Sequence, residues 1–336
     1  MNLKEIAYIV KIADEGGITR AAEKLYLTPS ALNQQLLHLE REIGTPLFHR
    51  SRRGWTPTEA GQIYLETARE MLRMERDTRL RLQDLADTKK GTLSVGFPPE
   101  RGTSMFTHVY PLFHRRYPEV TVRAVEASVR RQQKLVAEGE LDLGFVTLRD
   151  SQQTEDTYLP ICSEELVLAL PAGHPACRRA VTGTGPYPDL SLEEVRREPF
   201  ARMHRESTIY ECVDSLFRQA GFFPNVLFET ARTCTILEMV AAGLCCSILP
   251  NWESLPRREG VSLFCLPQHP SWKLMALVRK GGYLTQPAQD FLSLAAAYWQ
   301  SQQEAAENPP ASASPDAVST FPQSRTASSS ATGWSC

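Results

Sequence analysis

The sequence of 336 residues has no long hydrophobic run and no paired metal-binding cysteines. No apolar stretch approaches the ~20 residues that a transmembrane helix needs, so we expect no membrane partner and a cytoplasmic location. The eight cysteines form no C-x-x-C pair and no zinc-like Cys/His cluster, which predicts neither a bound metal nor a cofactor. We expect most of them to be reduced residues of the core.

The signatures of common enzymes are also missing. The chain has no glycine-rich phosphate loop, no G-x-S-x-G elbow and no H-E-x-x-H pair, and its seven histidines are scattered, so we expect no enzymatic activity. Strong basic charge is absent as well, because the net charge is −2 and residues 1–90 carry 15 Lys and Arg against 13 Asp and Glu. Any binding to nucleic acid must therefore depend on a local patch.

The amino-terminal region contains two short helical patterns joined by a tight turn. Thr19 is predicted to cap the first helix, whose small residues Ala21 and Ala22 allow a second helix to approach closely. Thr28 and Pro29 are typical of the start of that second helix. Its core side is marked by apolar residues at helical spacing and its end by a glycine: Leu32, Leu36, Leu39, Ile43 and Gly44.

The opposite side of the second helix carries uncharged polar residues. Ser30, Asn33 and Gln34 fall there, and amide side chains can pair with adenine in a major groove. Downstream, Arg50, Arg52 and Arg53 crowd a glycine-containing turn, as expected of a wing that meets phosphates. The helix pair by itself could be an ordinary amphipathic pair, and the arginine-rich turn by itself could be a solvated charged loop. Because the two features are adjacent in the sequence, we favour a DNA-reading helix-turn-helix.

Residues 1–61 closely resemble the winged helix-turn-helix of LysR-type transcriptional regulators. The matching segments are AAEKL at 21–25, SAL at 30–32, LE at 39–40, PLFHR at 46–50 and TEAG at 58–61. The chain departs from the family at Pro29, Asn33 and Pro57, where Gln, Ser and Leu are usual. By position, the resemblance implies base or backbone contacts from Thr28, Pro29, Ser30, Asn33 and Gln34. It implies phosphate contacts from Arg50, Arg53 and Thr58.

Residues 58–86 lack proline and are charge-rich, so we expect one helix of about 40 Å. Its apolar residues recur at roughly 3.5-residue spacing, at Leu65, Ala68, Leu72, Leu82 and Ala86. Such a helix is either a solvated spacer or a pairing surface. The resemblance favours a homodimer through this linker, which would present two recognition helices to a roughly palindromic site on double-stranded DNA. A homotetramer and RNA polymerase are further candidate partners.

Residues 91–300 alternate short strands with helices, which predicts an α/β domain with a mostly parallel sheet. This region resembles the LysR-type effector domain, with the bilobal architecture of periplasmic solute-binding proteins. The resemblance places lobe one at about 91–162 and 269–300, and lobe two at about 163–268. Crossing strands near 159–161 and 263–266 are expected to act as hinges.

A small-molecule effector, which could be anionic, is expected between the two lobes. Thr103 and Ser104 are predicted at a helix N-terminus, where they would bind an anion or simply cap the helix. Arg101 and Arg202 are either carboxylate ligands or solvated arginines. The predicted pocket comprises Pro99, Arg101, Thr103, Ser104, Thr147, Arg202, Met203, Thr230 and Thr233.

Three functional hypotheses remain at this point. The first is a ligand-responsive LysR-type regulator, the second is an enzyme or carrier that uses the α/β region, and the third is a DNA-binding protein that needs no ligand. An oxidant-sensing regulator is a further alternative, since some relatives use a cysteine in the same half of the effector domain, and Cys212 is the candidate. Residues 301–336 are assigned to a disordered tail, because Pro, Ala, Ser and Thr make up 20 of the 28 residues from Pro309 onward.

Overall fold

The structure is a computed structural model that describes residues 2–51, 54–86, 90–251 and 259–307. The amino-terminal elements are α1 (Leu3–Glu15), α2 (Ile18–Lys24), α3 (Pro29–Ile43), β1 (Phe48–Ser51), β2 (Gly54–Pro57) and α4 (Glu59–Leu85). None of the described helices combines the length and apolar composition that a membrane span requires.

The remaining elements form the α/β region. They are β3 (Gly91–Phe97), α5 (Arg101–Arg116), β4 (Val120–Glu126), α6 (Val129–Ala137), β5 (Leu143–Leu148), β6 (Thr157–Pro171), β7 (Pro199–Met203), α7 (Thr208–Gln219), β8 (Asn225–Thr230), α8 (Thr233–Ala241), β9 (Ser247–Pro250), β10 (Val261–Cys265), β11 (Ser271–Val278) and α9 (Gln286–Glu307), with three short 3-10 helices.

Local capping explains most of the amino-terminal helices. Asn2 and Glu5 form a reciprocal capping box at α1, and the Thr28 hydroxyl accepts a bond of 3.2 Å from the Ala31 N–H at α3. The prediction that Thr19 caps α2 is wrong, because the N-cap is Gly17 and Thr19 lies inside the helix. The three helices bury one core, which includes Ile9, Ile12, Ala21, Ala22, Leu32 and Leu36.

The first turn of α4 sits against the segment that leads into β1. Leu47 C=O accepts a bond of 2.9 Å from Thr58 N–H, and the Thr58 hydroxyl accepts from Gly61 N–H. A Cβ added at Gly61 would lie 2.0 Å from the oxygen of Leu47. The glycine of the TEAG segment therefore allows backbone to approach backbone, and it fixes where the long helix leaves the domain.

Part of the predicted dimer stripe on α4 is used within the chain. Leu65 and Ala68 are each only 3% exposed and pack against the amino-terminal domain. Farther along, α4 is tied to the α/β region by Arg76 to Asp142 at 2.6 Å and by Asp77 to Arg279 at 2.5 Å. Helix α4 therefore connects the two domains through ion pairs as well as through the chain.

In the described α/β region, β6 is shared by the two halves of a seven-stranded sheet, and β7 pairs with β8 in a separate two-stranded sheet. The strand order is β10-β6-β11-β5-β3-β4, with β9 also beside β6. Residues 157–165 of β6 pair with β11, whereas residues 166–171 pair with β9 and β10. Two aromatic-rich cores cover these halves, one around Phe113, Phe145 and Phe291 and the other around Phe200 and Phe217.

Three expectations for this region need correction. The sheets are parallel only between β3, β4 and β5 and between β7 and β8, because β11, β9 and β10 run antiparallel to their neighbours. The predicted hinge at 159–161 is part of β6, the same strand that continues through residues 166–171. The predicted hinge at 263–266 is mostly part of β10, because residues 263–265 pair within lobe two, and the chain returns to lobe one through the turn at 266–270. Residues 301–307 continue α9 rather than starting a tail, and residues 308–336 lie outside the described part.

Replacing Gly61 by Ala should destabilise the amino-terminal domain by at least about 2 kcal/mol, because the new methyl would overlap a backbone carbonyl that is already hydrogen-bonded. Thermal or urea unfolding followed by circular dichroism measures the loss. Gly17→Ala is the matched control, since that position has extended backbone and nothing within 4 Å, and its effect should stay within about 0.5 kcal/mol. Equal unfolding midpoints for the two variants would contradict the proposed close contact.

Candidate DNA-reading surface and interlobe pocket

Helix α3 presents the predicted polar residues on its outer side. Thr28, Pro29, Ser30 and Gln34 are exposed, and Asn33 is half-buried. The core side of the same helix holds Leu32, Leu36 and Leu39, which are at most 5% exposed. Because a helix turns 100° per residue, burial of that stripe directs Ser30 and Gln34 outward together. The prediction that these side chains contact DNA remains a prediction.

Tyr26 is a surface residue that the sequence analysis missed. It lies in the turn between α2 and α3, is 96% exposed and has a φ of 55°, in the left-handed region. A bulky residue rarely adopts that conformation, and here the backbone bonds of the turn, such as Leu27 N–H to Ala22 C=O at 2.9 Å, hold it. Its position directly before a helix-turn-helix recognition helix is the signal that could have identified it.

In the wing, Arg50 makes contacts within the protein. Its guanidinium binds Glu40 of α3 at 2.7 Å and lies 4.9 Å from the centre of the Trp55 ring. Glu40 also accepts a bond from Leu47 N–H at 2.8 Å. These bonds attach the β1–β2 hairpin to the recognition helix and leave Arg50 partly exposed beside it. Arg52 and Arg53 lie outside the described residues.

Thr58 has its side chain committed to local structure. The hydroxyl donates to Pro46 C=O at 2.8 Å and accepts from Gly61 N–H at 3.0 Å. It is thus the N-cap of α4, and the predicted phosphate contact at this position would have to form beside these bonds.

A cavity of about 200 Å³ opens between the two lobes. Five of the predicted pocket residues line it: Pro99, Arg101, Thr147, Met203 and Thr233. The rest of its described wall includes apolar side chains, hydroxyl groups and two carboxylates, contributed by Pro98, Glu100, Ser128, Val129, His204, Glu206, Ser207, Thr208, Ile209, Ala231, Pro250 and Trp272.

Four predicted residues lie outside that wall. Helix α5 begins at Arg101, so Thr103 and Ser104 lie within its first turns and bind Glu126 and Tyr298 respectively. Thr230 uses its hydroxyl to accept from Arg232 N–H. Arg202 is 6% exposed and stacks 4.1 Å from the centre of the Tyr210 ring, close to Asp214. Its guanidinium supports lobe two.

Arg101 lines the cavity but is already ion-paired. Both of its terminal nitrogens bind the carboxylate of Glu164, one of them at 2.5 Å. Trp272 Nε1–H donates to the same carboxylate at 3.0 Å. Glu164 is 6% exposed, and a buried carboxylate needs such neutralisation. The guanidinium of Arg101 therefore reaches the pocket as one half of an electrically balanced pair.

Glu100 is one of the pocket residues that the sequence analysis missed. Its carboxylate accepts bonds of 2.9 Å from Thr233 N–H and from the Cys234 thiol, at the N-terminus of α8 in lobe two. A carboxylate is favoured at that end of a helix by the helix dipole. Glu100 has a φ of 64° and sits beside α5 in lobe one. The sequence carries no local signal for this contact, because its partner is 133 residues away.

Cys212, the candidate redox residue, is 4% exposed on the inner side of α7. Burial raises the pKa of its thiol, and the thiol donates to Thr208 C=O. Oxidation of a cysteine proceeds through the thiolate and requires access. The local environment of Cys212 therefore disfavours oxidant sensing at this position.

Comparison with known proteins assigns both halves of the chain. A family model for the bacterial regulatory helix-turn-helix protein of the lysR family matches residues 3–62, and one for the LysR substrate binding domain matches residues 86–300. The uncharacterized HTH-type transcriptional regulator YcgK of Bacillus subtilis is 30% identical over 307 residues, covering 88% of this chain and 94% of that protein. The Escherichia coli regulator YnfL is 32% identical over 289 residues, covering 80% and 93%.

Solved structures share the fold at lower identity. A full-length OxyR variant from Pseudomonas aeruginosa gives a TM-score of 0.63 at 22% identity, over 89% of this chain and 95% of that one. Full-length CbnR complexed with its target DNA gives a TM-score of 0.52 at 20% identity, over 88% and 99%. These likenesses extend over both the amino-terminal helices and the two-lobed region.

Proposed function

This chain belongs to the LysR family of transcriptional regulators, and we propose that it reads a roughly palindromic DNA site as a dimer under the control of a ligand bound between its lobes. The family assignment establishes a DNA-binding regulator with an effector-binding domain. The residues that read DNA, the pairing surface and the ligand chemistry are the proposal.

The DNA-reading part of the proposal rests on the outward polar side of α3. Ser30 and Gln34 project from the same side of the helix, with the β1–β2 hairpin attached through Glu40 and Arg50. In a major groove, a glutamine amide can pair with adenine through two bonds. The wing would then contact the phosphates beside that groove. The solved DNA complex of CbnR, which has the same fold, supports this use of the domain.

An unpartnered apolar face on α4 supports dimer formation. Ile63, Met74 and Leu85 are 66%, 62% and 84% exposed, and they recur at an 11-residue spacing. Eleven residues are close to three full turns of a helix, so these side chains share one face, opposite the buried Leu65 and Ala68. We propose that this face, rather than the Leu65 and Ala68 stripe, meets the partner helix. A tetramer and contacts with RNA polymerase stay predictions.

The charges around the pocket favour an uncharged or positively charged ligand over an anion. Glu100 and Glu206 present carboxylates to the cavity, whereas the Arg101 guanidinium is held by Glu164. The N-terminus of α8, a position suited to an anion, already receives Glu100. Thr147, Thr208 and Ser128 supply polar groups, and the apolar wall would cover the body of the ligand.

Gln34→Ala should weaken binding to the specific site by about 1–3 kcal/mol and relax its sequence preference, because one base contact is lost. Gln35→Ala is the matched control, since Gln35 is also exposed on α3 but points 100° away, and its effect should stay within about 0.5 kcal/mol. Quantitative gel shifts on the region upstream of its own gene, against random competitor, measure both. A uniform loss across all sequences for Gln34→Ala would contradict the assigned reading face.

Met74→Glu should shift the protein from dimer to monomer, because pairing would bury a carboxylate without a partner, at a cost of about 3 kcal/mol. Sedimentation at several concentrations measures the change. Gln83→Glu introduces the same charge on the opposite side of α4 and should leave the dimer intact. If both variants remain dimeric with equal dissociation constants, the exposed face of α4 is not the pairing surface.

A ligand panel of amines, sugars and carboxylic acids should contain compounds that raise the melting temperature, since a ligand that binds only the folded state stabilises it by ~2.7 kcal/mol at 100 times its Kd. Ser128→Phe should abolish that shift by filling the pocket, whereas Ser293→Phe, an exposed serine on α9, should preserve it. Shifts that are identical in both variants would place the ligand elsewhere. The absence of any shift across the panel would favour regulation without a ligand.

A further inference from the structure

Three side chains that commonly bind metals converge where the chain crosses between the lobes. Glu165 lies in β6, Cys265 ends β10, and His269 lies in the returning turn before β11. One ligand atom from each side chain lies within 4.8 Å of the others. His269 Nδ1 is already 2.8 Å from Glu165 Oε1. The cluster stands apart from the interlobe pocket and is not used by the proposed regulatory function.

The backbone packs closely against the cluster. A Cβ at Gly185 would lie 2.6 Å from Cys265 Sγ and 3.4 Å from His269 Cε1, so glycine at this position lets the backbone approach the thiol and the imidazole. His269 has a φ of 44°, in the left-handed region that few residues other than glycine adopt. The turn holds that conformation through a bond of 2.8 Å from His269 N–H to Leu266 C=O. Strain of this kind is retained where the surrounding structure specifies a position.

The donor set has the chemistry of a zinc site. Zinc binds a thiolate at about 2.3 Å and imidazole or carboxylate groups at about 2.0–2.2 Å, which places tetrahedral ligand atoms roughly 3.3–3.8 Å apart. The three ligand atoms lie within 4.8 Å of one another, with His269 Nδ1 and Glu165 Oε1 at 2.8 Å, so side-chain rotations would be needed to bring them to tetrahedral separations. Sulfur and imidazole ligands select zinc, cobalt or copper over magnesium or calcium. We propose that Glu165, Cys265 and His269 bind a divalent transition metal of the zinc class, with water in the fourth position.

A simple Glu165–His269 hydrogen bond is the alternative interpretation. The Cys265 thiol also lies within hydrogen-bonding reach of Glu165, so a hydrogen-bonded Glu165–His269–Cys265 cluster without metal is the outcome that the titration must exclude. Burial raises the pKa of Cys265 to about 12, so the metal-free protein holds a thiol and metal binding must displace its proton. A proton is therefore released to solvent when the sulfur–metal bond forms.

A metal bound at this site would join the two segments that connect the lobes. Glu164 and Glu165 are adjacent in β6, and neighbouring side chains of a strand point to opposite sides. Glu164 binds Arg101, which lines the interlobe pocket, whereas Glu165 contributes to the cluster with Cys265 and His269. A bound metal would link β6 to the turn at 266–270, which are the two segments that connect the lobes. Metal occupancy would thereby stiffen the interlobe connection.

Cobalt(II) titration of the full-length chain tests the site directly, in a Cys336→Ser background that removes the carboxy-terminal thiol. We expect one equivalent to produce thiolate-to-cobalt charge-transfer absorption in the near ultraviolet, and zinc to displace it. Cys265→Ser should remove the band. His269→Ala changes an exposed side chain and should fold normally, yet weaken affinity at least about tenfold, a loss that even outer-shell residues cause.

Cys177→Ser and His174→Ala are the matched controls, because they change a half-buried cysteine and a histidine in another turn. Both should retain the band and the affinity. The proposal is overturned if the unmodified site gives no thiolate band at one equivalent of cobalt. It is equally overturned if the band survives in Cys265→Ser, or if His269→Ala binds cobalt as tightly as the starting protein.

Discussion

The architecture depends on a single strand that is shared by the two halves of a seven-stranded sheet. The fifteen residues of β6 pair with β11 in lobe one and then with β9 and β10 in lobe two. Continuous backbone hydrogen bonding on both sides of the changeover fixes how far the lobes can separate at that point. The pocket opens next to this strand because the lobes diverge from it. Any ligand that changes the angle between the lobes must therefore act against a hydrogen-bonded strand.

Charge in the interlobe region is neutralised internally. Glu164 is buried where β6 passes between the two halves of the sheet, and its two oxygens are occupied by Arg101 and Trp272. An unpaired carboxylate at that depth would be costly, so the arginine that could have met an anionic ligand is instead committed to the fold. Glu100 similarly occupies the N-terminus of α8. The two contacts together account for a pocket whose remaining charged groups are mainly acidic.

The DNA-reading half is coupled to the lobes by direct bonds as well as by chain connectivity. Gly61 lets α4 start against the Leu47 backbone, while Arg76 and Asp77 bind the α/β region farther along the same helix. Tyr283 adds a bond of 2.8 Å to Asp84 near the end of the helix. Lobe one, α4 and the amino-terminal domain are therefore joined by direct contacts along the helix. The exposed face of α4 remains available for a second copy of the chain.

The sequence by itself determined the elements whose causes are local. Capping by Thr28, the apolar spacing of α3 and the absence of proline from α4 were sufficient to predict α3 and α4. The family-like segments predicted the two-part organisation that the comparisons confirm. Tertiary structure alone decided the partners of charged and thiol groups. Glu164, Glu100 and Glu165 contact residues 63, 133 and 104 positions away, and no periodicity records such distances. Arg202 was predicted in the pocket, but it stacks on Tyr210 and lies close to Asp214. A buried guanidinium binds the aromatic ring and the carboxylate that the fold places beside it, and the sequence does not record which residues those are.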